Sequence, residues 1–458
     1  MRPGQRITLS RCADPLTPPA LIAAMHTEAE IEDLVLHAWA DVRRGNVNTA
    51  HALAEAFRDR PRLAHAQRAT VVRGLFGMLH EARRIECALA TKGGPGGETG
   101  GGIGDDARGD RARYVAWRVL AGEISPAEAG RSDLGIDCEE VARVDERIAR
   151  EPEPVRRFAL THSLPDFLAV RLLAEHGSDA DALCASLRAP APLTLRVNTL
   201  KTTGEALIDR LSASGIRARK TRFSEDGLEL EEHVNVFVLP EFHDGLFEVQ
   251  DEASQLVAEI VAPPPRGSVM DFCAGAGGKT LAIGARMKNQ GRIVALDPNG
   301  RRLKELRRRA ARAGLFTVQM PPAKMSALHA RCDRVLVDAP CSGLGVLRRK
   351  PDLRWRITEA DLDRLPREQE AIAARALELV APGGRLIYAT CTLLADENER
   401  VVERLLARGG VEVVRVKEIL GAKRASAITD ATGTFLKLFP HRDNTDGFFA
   451  AVLRKKRG

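Results

Sequence analysis

The chain has 458 residues, 44% hydrophobic and 29% charged, and its 69 Lys plus Arg against 62 Asp plus Glu give a net charge of +7. At a prior of about 150 residues per domain, that length predicts two or three domains, and the near-average composition excludes a fibrous repeat or a largely disordered chain. The small positive excess permits a nucleic-acid partner without requiring one, while aromatics at 4% argue against an aromatic-studded platform for single strands.

Residues 1–25 contain prolines and no periodicity, and are expected to form a flexible arm. Ile31, Leu34, Val35, Ala38, Trp39 and Val42 then form one apolar stripe at helical spacing, which stops at Gly45. Similar patterns at 48–58, 66–88 and from Arg111 onward predict an all-helical domain over 26–150. Eight of the twelve residues from Gly93 to Gly104 are glycine, which marks a mobile loop inside that domain. A helix-like piece at 164–175, strand-like alternation at 193–198, a helix at 204–215 and β-like pieces through 247–250 predict a small α+β module over 151–262. Pro263, Pro264 and Pro265 mark a hinge. Beyond it, short strands at 268–272, 292–296, 317–320, 334–337 and 386–390 alternate with helical segments. Such alternation predicts a parallel, doubly wound, Rossmann-like α/β domain over 263–458, with a last strand at 448–453 on one side of the sheet.

V-M-D-F-C-A-G-A-G-G-K-T (269–280) reads as a strand, a glycine turn and a helix. A phosphate-binding P-loop needs glycine where Cys273 stands, and the dinucleotide fingerprint fails because Thr280, not glycine, follows Gly277 by three. What remains is D-x-x-x-G-x-G, with Asp297 ending the next strand, where an acid suits a ribose diol. Glycines without a pyrophosphate turn serve close approach of the backbone to S-adenosylmethionine (AdoMet). A tight strand–helix turn with no ligand is the bland alternative.

The eight cysteines show no C-x-x-C spacing and lack the density of a disulfide scaffold, so free thiols in a reducing compartment and no metal site are expected. No signal-peptide core and no apolar run of about 18 residues is visible, which predicts a cytoplasmic protein without a membrane span. Two thiols stand out. D-R-V-L-V-D-A-P-C-S-G-L-G (333–345) sets Asp338 and Cys341 just past one strand, and L-I-Y-A-T-C-T (386–392) sets Cys391 at the end of another. One such cysteine reads best as a small apolar packing residue. Two at strand ends facing the cofactor point to chemistry. C5 of cytosine is too electron-poor to attack a sulfonium methyl until a thiolate adds at C6. A carboxylic acid near N3 stabilises that adduct, and Asp338 is placed for it if burial keeps its proton on. Amino-group methylation uses an aromatic after Pro-Pro, which D-A-P-C lacks.

These segments, with A-L-D-P (295–298), R-R-K-P-D-L-R-W (348–355), D-E-N-E (396–399) and D-G-F-F-A-A-V-L (446–453), resemble the RNA cytosine-C5 methyltransferases of the Nol–Nop–Sun family. P-L-T-L-R-V-N-T (192–199) and F-E-V-Q-D-E-A-S-Q-L-V (247–257) are similar to the family's RNA-binding module and its junction. The resemblance covers roughly 155–458. The segment R-A-T-V-V-R-G-L-F-G-M-L-H (68–80) is similar to the NusB-type domain that precedes this enzyme in bacterial small-subunit rRNA methyltransferases.

The resemblance implies that Cys391 is the nucleophile, that Cys341 assists release and that Asp338 holds the base. It also implies that Cys273, Ala274, Gly275, Ala276, Gly277, Gly278, Lys279, Asp297 and Asp338 bind AdoMet. Residue patterns alone do not rank the two cysteines, since DNA cytosine methyltransferases attack with a Pro-Cys like Pro340-Cys341. Three departures are visible. Gly275-Ala276 replaces the family's Ala-Pro and should loosen the turn, Ala323 stands where the family has an acid, and T-C-T replaces T-C-S. Arg196 and Asn198 are implied RNA contacts, and Arg302, Arg348, Arg349 and Lys350 are read as further contacts to phosphate. Glu397 and Glu399 read as acids favoured at a helix start. The expectation is a monomeric AdoMet-dependent RNA cytosine-C5 methyltransferase acting on small-subunit rRNA. The alternatives are an assembly factor with impaired catalysis, or a methyltransferase of tRNA or protein on the same core.

Overall fold

The computed structural model describes residues 27–45, 47–58, 60, 63–90, 104–319 and 325–457. The arm expected at 1–25, the glycine-rich loop up to residue 103, and Ala323 lie outside the described residues. The N-terminal region is helical. A capping box between Thr27 and Glu30 opens the helix Glu28–Arg43, and its buried Ile31, Val35, Ala38, Trp39 and Val42 belong to the stripe read from the spacing. That face packs against the helices His65–Leu89 and Ala107–Leu120. Close approach of the last two depends on Gly77, where a Cβ would sit 2.2 Å from the Trp117 indole.

Within the α+β module expected over 151–262, the first helices and the last one pack toward the C-terminal domain. Helices Asp166–His176 and Ala180–Ser186 carry Leu168, Leu172 and Leu183 against Leu344, Leu347 and Leu393. They buttress two loops of the C-terminal domain and not the small sheet. That sheet consists of β1 (Leu193–Val197), β2 (Ala218–Lys220), β3 (Gly227–Leu230) and β4 (Phe247–Val249). It is antiparallel in the order β2-β3-β1-β4, and Leu207 and Leu211 of the helix Gly204–Ala213 share its core. The following helix, Glu252–Ile260, buries Leu256, Val257 and Ile260 with residues of the C-terminal sheet. Packing of the last domain therefore begins before the proline hinge.

The C-terminal sheet contains β5 (Ser268–Asp271), β6 (Arg292–Ala295), β7 (Val318–Gln319), β8 (Cys332–Asp338), β9 (Val380–Thr390), β10 (Val411–Val414), β11 (Leu436–Leu438) and β12 (Phe448–Lys455). Its order is β10-β12-β9-β8-β5-β6-β7, with β5 to β9 parallel and β12 antiparallel to β9. The last strand does not lie at the side of the sheet as expected. β10 and β11 both pair with its far edge, and Phe448 through Leu453 are all buried, as a strand covered on both faces requires. Register places Asp271 beside Leu336 and Asp338 beside Ala389. The carboxyl ends of β5, β8 and β9 thus open along one edge of the sheet.

The domains meet at Arg354, whose side chain is fully buried. It donates to His80 Nδ1 at 3.1 Å and to the Ser163 carbonyl at 3.4 Å. Burial, then the charges of Arg354 and Arg188, holds His80 well below its ordinary range, so the ring is neutral and Nδ1 can accept. Arg354→Ala strands those acceptors and leaves a cavity, and is expected to cost about 3 kcal/mol. Arg354→Met restores volume but no donor and should recover about 1 kcal/mol of that. Urea unfolding followed by tryptophan fluorescence measures both.

Candidate active site

The strand β5 ends in Asp271, and the chain turns through the glycine loop into the helix Gly278–Arg286. Gly275 sits at φ 55° and Gly277 at φ 89°, a region that side chains disfavour. At Gly277 space is also closed, because a Cβ would meet Leu306 at 2.6 Å, whereas at Gly275 no atom of the described residues lies within 4 Å. The loop therefore packs on one side and leaves an open cradle on the other. Asp297, just past β6, ties the two strand ends together. Its carboxylate accepts from the Gly275 N–H at 2.9 Å and the Asn299 N–H at 2.8 Å, one bond per oxygen, which leaves lone pairs for a ligand hydroxyl.

A cavity of about 600 Å³ opens there, within the range of small-molecule sites. Cys273, Ala274, Gly275, Ala276, Gly278, Lys279, Asp297, Arg302 and Asp338, all read from the sequence, line it together with Asp271, Phe272 and Pro340. Burial, then the charges of Asp271, Asp338 and Asp297, pushes the Cys273 thiol up to about 12. It lines the wall as a neutral group. Asp271 was missed as a site residue, although it is the first acid of the glycine motif. Its Oδ2 accepts from the Thr280 hydroxyl at 2.7 Å, while Oδ1 is buried with no hydrogen-bond partner among the described residues. An orphaned acceptor in such a cavity fits a cationic donor, and AdoMet carries both an ammonium and a sulfonium. Asp297 fits its ribose diol.

The reactive groups lie beside this cavity. Cys341 Sγ and Cys391 Sγ are 3.4 Å apart, both free thiols. The hydrogen bond with Cys391, then burial and the charges of Cys391 and Glu397, holds the Cys341 thiol well above its ordinary range. Lys279 donates to Asp338 at 2.6 Å and lies 5.0 Å over the Phe448 ring. Burial pulls the ammonium down, but the charge and hydrogen bond of Asp338 and the nearby Cys391 outweigh it, and the net shift is upward. Asp338 is only partly buried, its side chain 32% exposed, and it is ion-paired with Lys279.

Several residues read from the sequence as RNA contacts make internal hydrogen bonds and ion pairs. Arg196 is buried and donates to the Gln250 side chain and, at 2.7 Å, to the Gly278 carbonyl. Asn198 donates to the carbonyls of Gly245 and Ala313, each at 2.8 Å. Both pin the small sheet to the C-terminal domain. Arg348 pairs with Asp446 at 3.2 Å, and Arg349 pairs with Asp446 and Asp251 at 2.9 Å. Arginines that follow a loop look alike in sequence whether they face RNA or a buried acid. Only Lys350 and Arg302 of this set are exposed, and Arg302 lies 3.9 Å from Asp297 at the cavity wall. Among the described residues no cluster of three or more His, Cys, Asp or Glu is arranged to hold a metal, and no helix is long and apolar enough to cross a membrane.

Residues 258–454 match the family model for the 16S rRNA methyltransferase RsmB/F, and residues 164–237 match its ferredoxin-like domain. The chain is 34% identical over 312 residues to the "Probable ribosomal RNA small subunit methyltransferase B" of Bacillus subtilis, covering 66% of this chain and 69% of that one. It is 30% identical to the 28S rRNA (cytosine-C(5))-methyltransferase of Mus musculus over 70% of this chain and 42% of that one. The crystal structure of a methyltransferase homolog from Pyrococcus horikoshii, 28% identical, aligns with a TM-score of 0.58 over 66% of this chain and 99% of that one.

A cationic cofactor paired with the Asp271 carboxylate should bind with an affinity that depends on pH. Burial first, then Asp338, raises the Asp271 carboxyl to about 6 without ligand. A cationic ligand favours the ionised form, so binding releases a proton, and affinity should rise with pH up to about 6 and level off above it. Titration calorimetry with AdoMet from pH 5 to 8 measures this. Asp271→Asn should flatten the profile and weaken binding about tenfold or more at pH 7.5.

Proposed function

The chain belongs to the 16S rRNA methyltransferase RsmB/F family, and from that premise we propose that it methylates C5 of a cytosine in small-subunit ribosomal RNA, using AdoMet and a transient bond from Cys391 to C6 of the base. The observation that carries the covalent reading is the pair of free thiols 3.4 Å apart at the ends of adjacent parallel strands, next to a cavity that fits AdoMet. The bound cofactor supplies an electrophilic methyl group. Cys391, beside the Lys279 cation, is the attacking thiolate, while Cys341 is held as a thiol. The S–C6 bond forms as the C5=C6 π pair moves to C5, which would then take the methyl group as the S–CH₃ bond of the bound cofactor breaks, its electron pair staying on sulfur as a thioether. Loss of the C5 proton to a base restores the double bond, breaks S–C6 and returns the Cys391 thiolate. Lys279, paired with Asp338, supplies the donor that the sequence reading placed on the carboxyl itself.

Cys341 assists that release. The target base must be unpaired or flipped to reach the thiol. Lys350, exposed at the end of the cysteine loop, and Arg302 are the remaining phosphate contacts of the set read from the sequence. The N-terminal helical domain, read as NusB-like, takes a further part of the RNA, and the reaction runs in the cytoplasm.

Bisulfite mapping of rRNA and tRNA from cells with and without the gene should show one cytosine of small-subunit rRNA losing its methyl group. Loss confined to tRNA would overturn the substrate. Cys391→Ala should abolish methylation and leave RNA affinity within about twofold. Cys341→Ala should accumulate a protein–RNA adduct that survives denaturing electrophoresis. An adduct formed by Cys391→Ala instead would exchange the two roles.

A further inference from the structure

Glu397 was read as an acid favoured by a helix start. It is instead fully buried, and its carboxylate collects four hydrogen bonds. The Ser342 N–H donates at 2.9 Å, the Ser342 hydroxyl lies at 2.6 Å, the Thr392 hydroxyl at 2.8 Å, and the Gln369 amide donates at 2.8 Å. Ser342 immediately follows Cys341, and Thr392 immediately follows Cys391. The two hydroxyls also touch each other at 2.6 Å. Gln369 reaches the other side of Cys341, donating to the Pro340 carbonyl at 2.9 Å. The Tyr388 hydroxyl donates to the Glu397 carbonyl at 2.6 Å, and Asn398 accepts from Thr390 and donates to the Thr392 carbonyl at 3.4 Å. The residues flanking both cysteines are therefore gripped from one point.

We propose that Glu397 is a positioning residue that locks the loops of Cys341 and Cys391 to each other and so couples attack by one thiol to release assisted by the other. The proposal rests on the covalent reading above. A carboxylate suits the task because it accepts several donors at once and donates to none, so both loops can be held without competition between them. A glutamine in its place removes the charge and can meet the donors on the Oε2 side only by turning its NH₂ to the two hydroxyls, which must then accept instead of donate, so the grip on both loops weakens. The fixed negative charge also favours the neutral thiol of Cys341 over a second thiolate beside Cys391. The contacts reach the loops and not the cavity: Glu397, Ser342 and Thr392 are absent from its lining. Cofactor affinity should therefore be separable from the effect on turnover.

The test compares Glu397→Gln, Thr392→Val and Thr392→Ser with the parent enzyme on its RNA. Glu397→Gln should lower kcat about 30-fold or more, with KM for RNA and the AdoMet Kd within about threefold. In single turnover it should build up the denaturant-resistant adduct, because release is slowed more than attack. Thr392→Val, which removes one donor and little volume, should lower kcat in the same direction, and Thr392→Ser should restore it. If Glu397→Gln turns over at the parent rate, or if its loss of rate follows a parallel loss of AdoMet affinity, the positioning role is wrong. If Glu397→Gln does not fold, the Thr392 pair decides alone: equal kcat for Val and Ser overturns the proposal. Methylation surviving in Cys391→Ala would sink the covalent reading itself, whereas a dead Cys391→Ala beside a fully active Glu397→Gln would sink only this inference.

Discussion

The placement of the reactive thiol rests on a backbone contact at Gly345. Its N–H donates to the Cys391 carbonyl at 2.9 Å, and its own carbonyl accepts from the Gly447 N–H at 2.8 Å. Segments separated by about a hundred residues of sequence meet there main chain to main chain, and a Cβ on Gly345 would stand 2.2 Å from the Gly447 oxygen. Any side chain at 345 would push the D-A-P-C-S-G-L-G loop off the strand that carries Cys391. Gly345 and Gly447 are thus a packing requirement of the site, whereas Gly343, at φ 72°, serves a turn.

Charge completes what the backbone contact begins. Arg348 and Arg349 anchor Asp446, next to Gly447, and Arg349 also reaches Asp251 at the entrance to the helix Glu252–Ile260. Arg309 and Arg312 converge on buried Glu248 of the small sheet, and Arg309 also donates to the Ala276 carbonyl of the glycine loop at 2.9 Å. Buried ion pairs add little net stability, because desolvation offsets attraction, but a mismatched arrangement leaves a charge unpaired. They fix the angle between the small sheet and the C-terminal domain more than they strengthen it. The same geometry explains why so many basic residues of these motifs face inward.

Electrostatics then divides labour among groups of one chemical kind. Three acids surround the cavity and have three environments: Asp297 accepts from two backbone donors, Asp338 is paired with a lysine, and Asp271 keeps one orphaned oxygen. Three cysteines nearby differ in the same way. Cys273 is a neutral wall, Cys341 is held as a thiol, and Cys391 lies within the field of Lys279. Residue type is constant across each set, and position alone separates the functions.

The strand–helix alternation, the apolar stripe of the first helix, the glycine loop and the two strand-end cysteines were legible in the sequence, because each is local: a period, a turn or a residue at a strand end. The position of the last strand was not, since pairing with 411–414 and 436–438 is set by which edges remain open after the parallel strands assemble. Nor were the inward arginines, Asp271 as an orphaned acceptor, or Glu397 as the grip on both thiol loops. Those depend on which groups are desolvated together, and desolvation is a property of the packed chain. The sequence by itself determined the chemistry the residues could perform. The tertiary structure decided which of them are solvated, paired or held, and hence which perform it.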